Sequence, residues 1–347
     1  MRPDVLVIGG GPAGATAALL LARAGRKVVV AEKSAFPRRK VCGELLAPSG
    51  IAVLQRLGLG PRFESLAGPE VDRIALWAGS HALEAAMPPL GRALARDRLD
   101  TLLLEEAAHA GVSIVREEKQ IPAPLVIRAC GSWRRNARPR GSDLFGLQAH
   151  FTGACVPPRT IALIPFPGGY AGLVERAGGS ATLAACIRRD RLERIREHGM
   201  PAGEALLRHA TDHSSSLRNS LRTAMRDGPW LAAGPLHPGM RPLCGNGAFN
   251  IGNAAAEAHP VVGEGIAMAL QSGALLADAL IEDPENAAET YARAWRALFP
   301  ARIRASAAFA HLAMLPVAPA LVGFLNLFPG MLGRAARISG KTLPGTP

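Results

Sequence analysis

Residues 4–32, DVLVIGGGPAGATAALLLARAGRKVVVAE, decide the fold. Asp4 to Ile8 form a short apolar run that enters Gly9, Gly11 and Gly14, spaced GxGxxG, and the alanine- and leucine-rich stretch Ala15 to Ala24 reads as a helix. Gly25 ends that helix where a positive φ is useful, and Lys27 to Ala31 supply a second β-rich run that finishes on Glu32. The unit is strand, helix, strand. The three glycines act differently. Gly9 turns the chain, Gly11 lets a pyrophosphate approach the backbone, and Gly14 lets the helix pack closely on the strand. The helix N-terminus offers unpaired N–H groups and a positive dipole end to the phosphates. Glu32, 18 residues after Gly14 and followed by Lys33 in the same cofactor-binding set, is placed to accept hydrogen bonds from a ribose. An acidic partner there argues against a 2′-phosphate.

A second informative stretch lies about 240 residues further on. Phe249 and Ile251 are apolar, Gly252-Asn253-Ala254-Ala255-Ala256 is a small-residue turn, and Pro260 precedes Gly263-Glu264-Gly265, after which Ile266 to Ile281 read as a helix. A nicotinamide dehydrogenase calls for no such second helix N-terminus so late in the chain, whereas a flavin lying across the domain needs one. On these residues the chain resembles the FAD-dependent aromatic hydroxylase (p-hydroxybenzoate hydroxylase-like) and geranylgeranyl reductase superfamily. That family shows GDAAG, a proline, then GxGxN or GEGI; this chain reads GNAAA, Pro260 and GEGI. The resemblance implies that Gly252 and Asn253 hold the ribityl chain, with Asn253 in place of an aspartate and Ala256 in place of the last glycine. It implies further that Pro260, Gly263 and Gly265 line the flavin C2 edge, where reduced flavin carries negative charge that a helix N-terminus stabilises.

Three other matches fall between these stretches. Arg96 in RDRLD resembles the family arginine that contacts FAD, and the helix Leu99 to Ala110 follows it. Lys40-Val41-Cys42-Gly43-Glu44 resembles the K-x-CG segment of the geranylgeranyl reductase branch, which lies near the isoalloxazine. Where the family has ADG after an apolar strand, this chain has Ala129-Cys130-Gly131 after Leu125 to Ile127, so that aspartate is missing.

The expected fold class is α/β: a Rossmann-like FAD-binding domain of the glutathione-reductase type, interleaved with a β-sheet substrate domain and followed by a C-terminal helical segment. The expected division gives residues 1–73, 92–133 and 246–283 to FAD binding, 74–91 and 134–245 to the substrate domain, and 284–347 to the helical, apolar C-terminus. A length of 347 residues is enough for two closely joined domains. Ile161 to Pro165, Tyr170 to Glu175 and Ala181 to Ile187 read as strands separated by glycine pairs. Leu192 to His209 reads as helix broken at Gly199 to Pro201, and Val112 to Leu125 as a trimmed hairpin.

The net charge is +12, with dense basic runs at Arg38-Arg39-Lys40 and Arg134 to Arg140. Aromatic residues are only 5% and no nucleic-acid module appears, so the basic balance reads as a solvated surface rather than a nucleic-acid face. NADH or NADPH is the expected electron donor, and Arg134, Arg135 or Arg138 could receive its phosphates. Five cysteines without CxxC spacing fit a reducing compartment and imply no metal site, and Met1 to Asp4 lead straight into the first strand, so the expected location is cytoplasmic. Oligomeric state is not legible.

From Ala305 to Gly333 there is no Asp, Glu, Lys or Arg, a run of 29 residues. That is long enough to span a bilayer, but Pro316, Pro319 and Pro329 break it, and two amphipathic helices fit better. The readings are a packed lid or tunnel wall, a peripheral membrane contact through 305–333, and a transmembrane span, in that order. The first two imply a hydrophobic small-molecule substrate.

The resemblance supports two reactions, monooxygenation of a hydrophobic aromatic or polyketide-like substrate and, as the alternative, reduction of an isoprenoid or lipid double bond. A catalytically degenerate scaffold is the third reading, suggested by Asn253, Ala256 and Cys130. The candidate catalytic residues are Cys42, His259 and Tyr170. Cys42 is a thiol in the flavin-side segment, His259 stands next to Pro260, and Tyr170 follows Gly168-Gly169 in a substrate-facing strand. A halogenase reading is weaker, because there is no WxWxIP run and Leu163-Ile164-Pro165 is only a faint echo of one.

Overall fold

The computed structural model describes residues 2–116, 121–132 and 138–326, and it has the expected α/β architecture. Val5–Ile8 and Val28–Ala31 are parallel neighbours joined by the helix Pro12–Arg23, and the order across their six-stranded sheet is Cys244–Gly245, Ala248–Asn250, Leu125–Arg128, Val5–Ile8, Val28–Ala31, Ser113–Val115. The helix starts with Pro12 in its first turn, where a missing N–H costs nothing, and stops at Arg23 ahead of Gly25, whose φ is +82°. Its nearly unbroken run of small and aliphatic side chains is buried because it lies between the sheet and two other helices, Arg96–His109 and Gly265–Glu282. Gly14 fixes how close the helix comes: a Cβ there would stand 1.9 Å from the carbonyl oxygen of Gly9.

In the segment expected to have a trimmed hairpin, Ser113–Val115 is a strand parallel to Val28–Ala31, reached through the crossover helix Arg96–His109.

The second sheet has eight strands in the order Met225–Leu236, Leu144–Thr152, Ala181–Arg188, Gly169–Glu175, Thr160–Phe166, Glu70–Ala78, His81–Ala93, Leu45–Leu46. Residues 45–46 and 70–93 therefore run in this sheet, while the helices Pro48–Arg56 and Gly60–Leu66 between them and Arg96–His109 after them pack into the other core. One face carries Leu147, Ala149, Phe151, Ile164, Phe166, Leu173, Leu183 and Ile187 into a core closed by Leu206, Ala210 and Leu217. The helices there are Arg189–Ile195 and Ala202–Asp212, so the expected helix begins earlier than its apolar pattern indicated, and it breaks where Gly199 takes a φ of +79°.

After the long helix Gly265–Glu282 come Ala287–Leu298, Pro300–Ala313 and Ala318–Asn326. The last two meet at a bend of 102°, so no straight span runs through this segment; residues 327–333 of the apolar run lie outside the described residues. Gly265–Glu282 is long and apolar enough to cross a membrane, with mean hydropathy 1.3, but 67% of it is buried against the protein. It serves as the central helix of the first core.

Candidate functional site

The glycine turn and its surroundings form an anion receptor. The first-turn N–H groups of Ala13 and Gly14 have no acceptor within the helix. Glu32 is buried, and its carboxylate accepts from Gly10 N–H at 2.9 Å, Ser34 N–H at 2.8 Å and Arg38 Nη1 at 3.2 Å. Burial alone would raise its pKa, but the Ser34 and Gly10 hydrogen bonds and the Arg38 charge prevail and hold it below the usual carboxylate range. Lys33 is exposed beside it.

Arg38 is the unforeseen member. Its Nη2 would lie 3.6 Å from a Cβ at Gly11 and is 3.8 Å from Asp100, and its buried Nε–H has no partner. Arg96 is locked onto Asp100 by two 2.7 Å bonds, one turn apart on the same helix, and it also reaches the Cys42 thiol. Three features thus fit the pyrophosphate of FAD: a glycine with open space above it, free helix N–H groups, and an arginine with an unspent donor. With FAD bound, Gly11, Gly14, Arg38 and Arg96 would face its phosphates and Glu32 its ribose.

The second turn closes on the same region. Gly252 (φ +57°) donates its N–H to Ser272 Oγ at 3.1 Å, Ser272 meets the Tyr291 hydroxyl at 3.0 Å, and Tyr291 donates to Asn250 O at 2.9 Å. Asn253 is directed at Ser132 (3.1 Å), which follows the Ala129-Cys130-Gly131 segment. A small open cleft lies along Gly252, Asn253, Gly265, Met268 and Ala269. Gly265 and Pro260 are exposed, and Gly263 (φ +66°) faces Leu45 of the Cys42 segment. The two distant stretches are therefore on one side of the molecule. Between the glycines, Glu264 is buried and paired with Arg302 from the helix Pro300–Ala313, and Arg302 also donates to Gln271 at 2.9 Å. The same helix offers Ser306 Oγ to His259 N–H at 3.1 Å. It braces the cofactor turn.

The other face of the eight-stranded sheet looks toward these turns. Strand register sets Leu163, Gly172, Ala184 and Gln148 in one row. Pro165, Tyr170, Cys186 and Gly146 form the row on one side, and Ile161, Val174, Thr182 and His150 the row on the other. The middle is shallow: Gly172 and Ala184 are half-buried, and a Cβ on Gly172 would meet only Ala162 O at 4.0 Å. Thr182 and Cys186 are four residues apart, so the polar ends of this trough are separated by roughly 13 Å.

At one end Tyr170 and His259 meet, the hydroxyl 2.5 Å from Nδ1. Burial pushes the tyrosine pKa well up and the histidine down to about 4, so the neutral ring accepts and the hydroxyl donates. Cys186 lies in hydrogen-bond contact with Tyr170 and is also held protonated by burial. Cys42 N–H donates to Gln148 Oε1 at 3.0 Å, and burial raises the Cys42 pKa. Cys42 therefore stands beside the middle row of the trough, apart from the Tyr170–His259 pair.

The residues that sequence reading passed over are Arg38, Glu44, Gln148, His150, Glu264 and Arg302. A signal existed for two of them. In LFGLQAHFT the polar positions 148 and 150 alternate with the apolar Leu147, Ala149 and Phe151, which marks a strand with one polar face. Arg134 and Arg135 lie outside the described residues, and among the described residues no group of His, Cys, Asp and Glu could hold a metal.

Residues 2–123 match the family described as FAD binding domain. The chain is 36% identical over 128 residues to the menaquinone reductase of Mycolicibacterium smegmatis, a stretch covering 35% of this chain and 30% of that protein. It is 50% identical over 56 residues to the 6-methylpretetramide 4-monooxygenase of Streptomyces rimosus, covering 16% and 13%. Each match thus spans less than a third of the relative's length. The flavin-dependent brominase Bmp2 superposes with a TM-score of 0.78 over 98% of this chain and 94% of its own, at 19% identity, so the two share a fold. The N-terminal third thus matches an FAD-binding domain, and the whole chain shares the fold of the brominase.

Proposed function

We propose that the protein is an FAD-dependent enzyme that consumes NADH or NADPH and hydroxylates a hydrophobic aromatic or polyketide-like small molecule. The observation that carries this reading is the trough: a shallow floor over Leu163, Gly172 and Ala184, with Gln148 at its edge and polar groups at both ends, facing the glycine turns. The flavin would supply electron transfer from the nicotinamide and activation of oxygen. The chain's own residues bind and orient. A flat substrate would lie over Gly172 and Ala184, and a substrate hydroxyl would donate to the Tyr170 oxygen, whose own proton is committed to His259. With a pKa of about 4, His259 is too weak a base to hold a proton near neutrality, so its part is to orient Tyr170 rather than to relay protons.

Double-bond reduction is the second reading, supported by Cys42. Its thiol is held protonated beside Arg96, which suits a proton donor better than a nucleophile, and the longer relative match is to a reductase. Purified protein reconstituted with FAD and given NAD(P)H and a hydrophobic phenol tests both readings. Oxygen consumption matched by hydroxylated product supports the first. Substrate reduction without oxygen uptake replaces it with the second, and a flavin that is never reduced indicates a scaffold.

We also propose a cytoplasmic protein that touches membranes peripherally. Phe309, Leu312, Val317 and Leu321 are 40%, 49%, 60% and 42% exposed around the 102° bend, with Arg304 exposed on the same helix. Apolar side chains at a bend with a cationic one nearby suit the headgroup boundary of an anionic bilayer.

A further inference from the structure

Glu44 is strained, buried and charged, and nothing in the proposed chemistry uses it. Its φ is +58°, a left-handed conformation that a residue with a long side chain keeps only when its surroundings enforce it. Its side chain is 3% exposed. The carboxylate accepts from Thr182 Oγ1 at 2.7 Å, and it lies 3.2 Å from Arg176 Nε and 3.4 Å from His150 Nε2. Burial would raise its pKa, yet the hydrogen bonds from His150 and Thr182 and the charge of Arg176 hold it low, so the group is ionised. His150 is itself held on both ring nitrogens, with Arg39 Nη2 3.0 Å from Nδ1 and Gln148 Nε2 3.1 Å from Nε2.

The main chain of the same residue completes the arrangement. Glu44 O accepts from Leu94 N–H at 2.7 Å, and Glu44 N–H donates to Cys42 Sγ at 3.3 Å. The turn Cys42-Gly43-Glu44 is therefore fastened to the eight-stranded sheet at both ends, Cys42 through Gln148 and Glu44 through Thr182, His150 and Arg176. Packing alone would not select this. A buried carboxylate in a strained backbone is a poor source of stability compared with apolar residues of similar size. What it provides is direction: a hydrogen bond from Thr182 and close charge contacts with Arg176 and His150, on three separate segments, fix one orientation of the turn.

We propose that Glu44 is a positioning residue that, as a carboxylate, pins the Cys42 turn to the substrate sheet and so sets where the Cys42 thiol stands between cofactor and trough. This rests on the reading of that turn as part of the FAD site. The test uses the full chain with the exposed Cys130, Cys155 and Cys244 changed to serine, leaving Cys42 and the buried Cys186. Cys42 alkylation by N-ethylmaleimide is timed with and without FAD in Glu44→Gln, Thr182→Val and Arg176→Gln, and the visible band of bound FAD is recorded for each. Losing one charge-assisted bond from a closed turn should raise the labelling rate about tenfold. Glu44→Gln should also shift the flavin band, and Glu44→Asp should recover part of the protection. Labelling within twofold of the parent in Thr182→Val and Arg176→Gln, with only the melting temperature lowered, would overturn the proposal even if Glu44→Gln does not fold. Labelling is measured without FAD as well, so a parent protein that binds no flavin but still shows the acceleration sinks the cofactor reading and leaves Glu44 in its role.

Discussion

Two glycines three residues apart should fail in opposite ways when given a methyl group. At Gly14 a Cβ would stand 1.9 Å from Gly9 O and 3.0 Å from Ala129 Cβ, and the first of these is backbone that cannot swing aside. Gly14→Ala must push the helix Pro12–Arg23 off the strand Val5–Ile8, an overpacking that costs about 1–3 kcal/mol. An unfolding entropy of roughly 2.1 cal/mol/K per residue gives this chain about 0.7 kcal/mol/K, so its melting temperature should fall by about 1–4 °C. At Gly11 the Cβ would meet only Arg38 Nη2, at 3.6 Å, an ordinary contact. Gly11→Ala should melt within about 1 °C of the parent, but its methyl occupies the approach of the pyrophosphate. Loss of one charge-assisted hydrogen bond, about 1.5–3 kcal/mol, corresponds to a roughly 10- to 150-fold weaker FAD Kd. Differential scanning fluorimetry without FAD and fluorescence titration with FAD read the two effects separately. A Gly11→Ala protein that binds FAD as tightly as the parent would refute the placement of the cofactor over this turn.

Other perturbations address the remaining elements. His259 titrates near 4 in the fold against 6.5 in the unfolded chain, so the unfolded state binds the extra proton between those values. Its stabilising contribution is complete above pH 6.5 and falls away toward pH 4 by roughly 3 kcal/mol, and His259→Gln should flatten that part of a urea-denaturation profile. Tyr170→Phe should leave FAD affinity unchanged while lowering turnover at least about tenfold, as expected when an orienting hydrogen bond near the reacting group is lost; unchanged turnover would remove Tyr170 from the site. Arg302→Gln leaves buried Glu264 unpaired and should cost about 3–5 kcal/mol, with much of it recovered in the Glu264→Gln/Arg302→Gln double variant. Flotation with anionic vesicles should carry the parent protein, and Leu312→Glu/Val317→Glu should leave it at the bottom of the gradient, since each apolar side chain contributes about 1.5–3 kcal/mol when buried. A parent protein that does not float ends the membrane proposal.

The legible parts of the fold were those set by neighbours in sequence. Gly9, Gly11 and Gly14 could be assigned distinct roles because strand, turn and helix follow one another within 20 residues, and the structure has the helix and strand there with Gly14 against Gly9. The strand beginnings at Gly169 and Ala181 lay within a residue of their alternation. Long-range pairing was not legible. Nothing in Val112 to Leu125 announces that Ser113–Val115 joins Val28–Ala31, because that partner is set by the crossover helix. Glu44 and His150 escaped notice for the same reason: each is an ordinary residue locally, and only a sheet register spanning more than 100 residues brings them together.

That register also explains why the trough has polar ends and an apolar middle. Along the strand Ala181–Arg188, Thr182, Ala184 and Cys186 share a face, and their cross-strand partners on the strand Gly169–Glu175 are Val174, Gly172 and Tyr170. A one-residue slip of the strand Ala181–Arg188 would turn Thr182 into the core and bring Leu183 to the site, and a slip of Gly169–Glu175 would do the same with Tyr170 and Leu173. The trough's polarity and the core's packing are therefore specified by one alignment, and neither can drift without the other. The C-terminal brace extends the same coupling to the cofactor side. His259 is held by Ser306 on its backbone and by Tyr170 on its ring, so the turn that leads to Gly263 and Gly265 takes its position from the substrate sheet and from the helix Pro300–Ala313 together. On the proposed reading, a substrate that displaced Tyr170 would loosen His259 and with it the turn that leads to Gly263 and Gly265, with no domain movement needed.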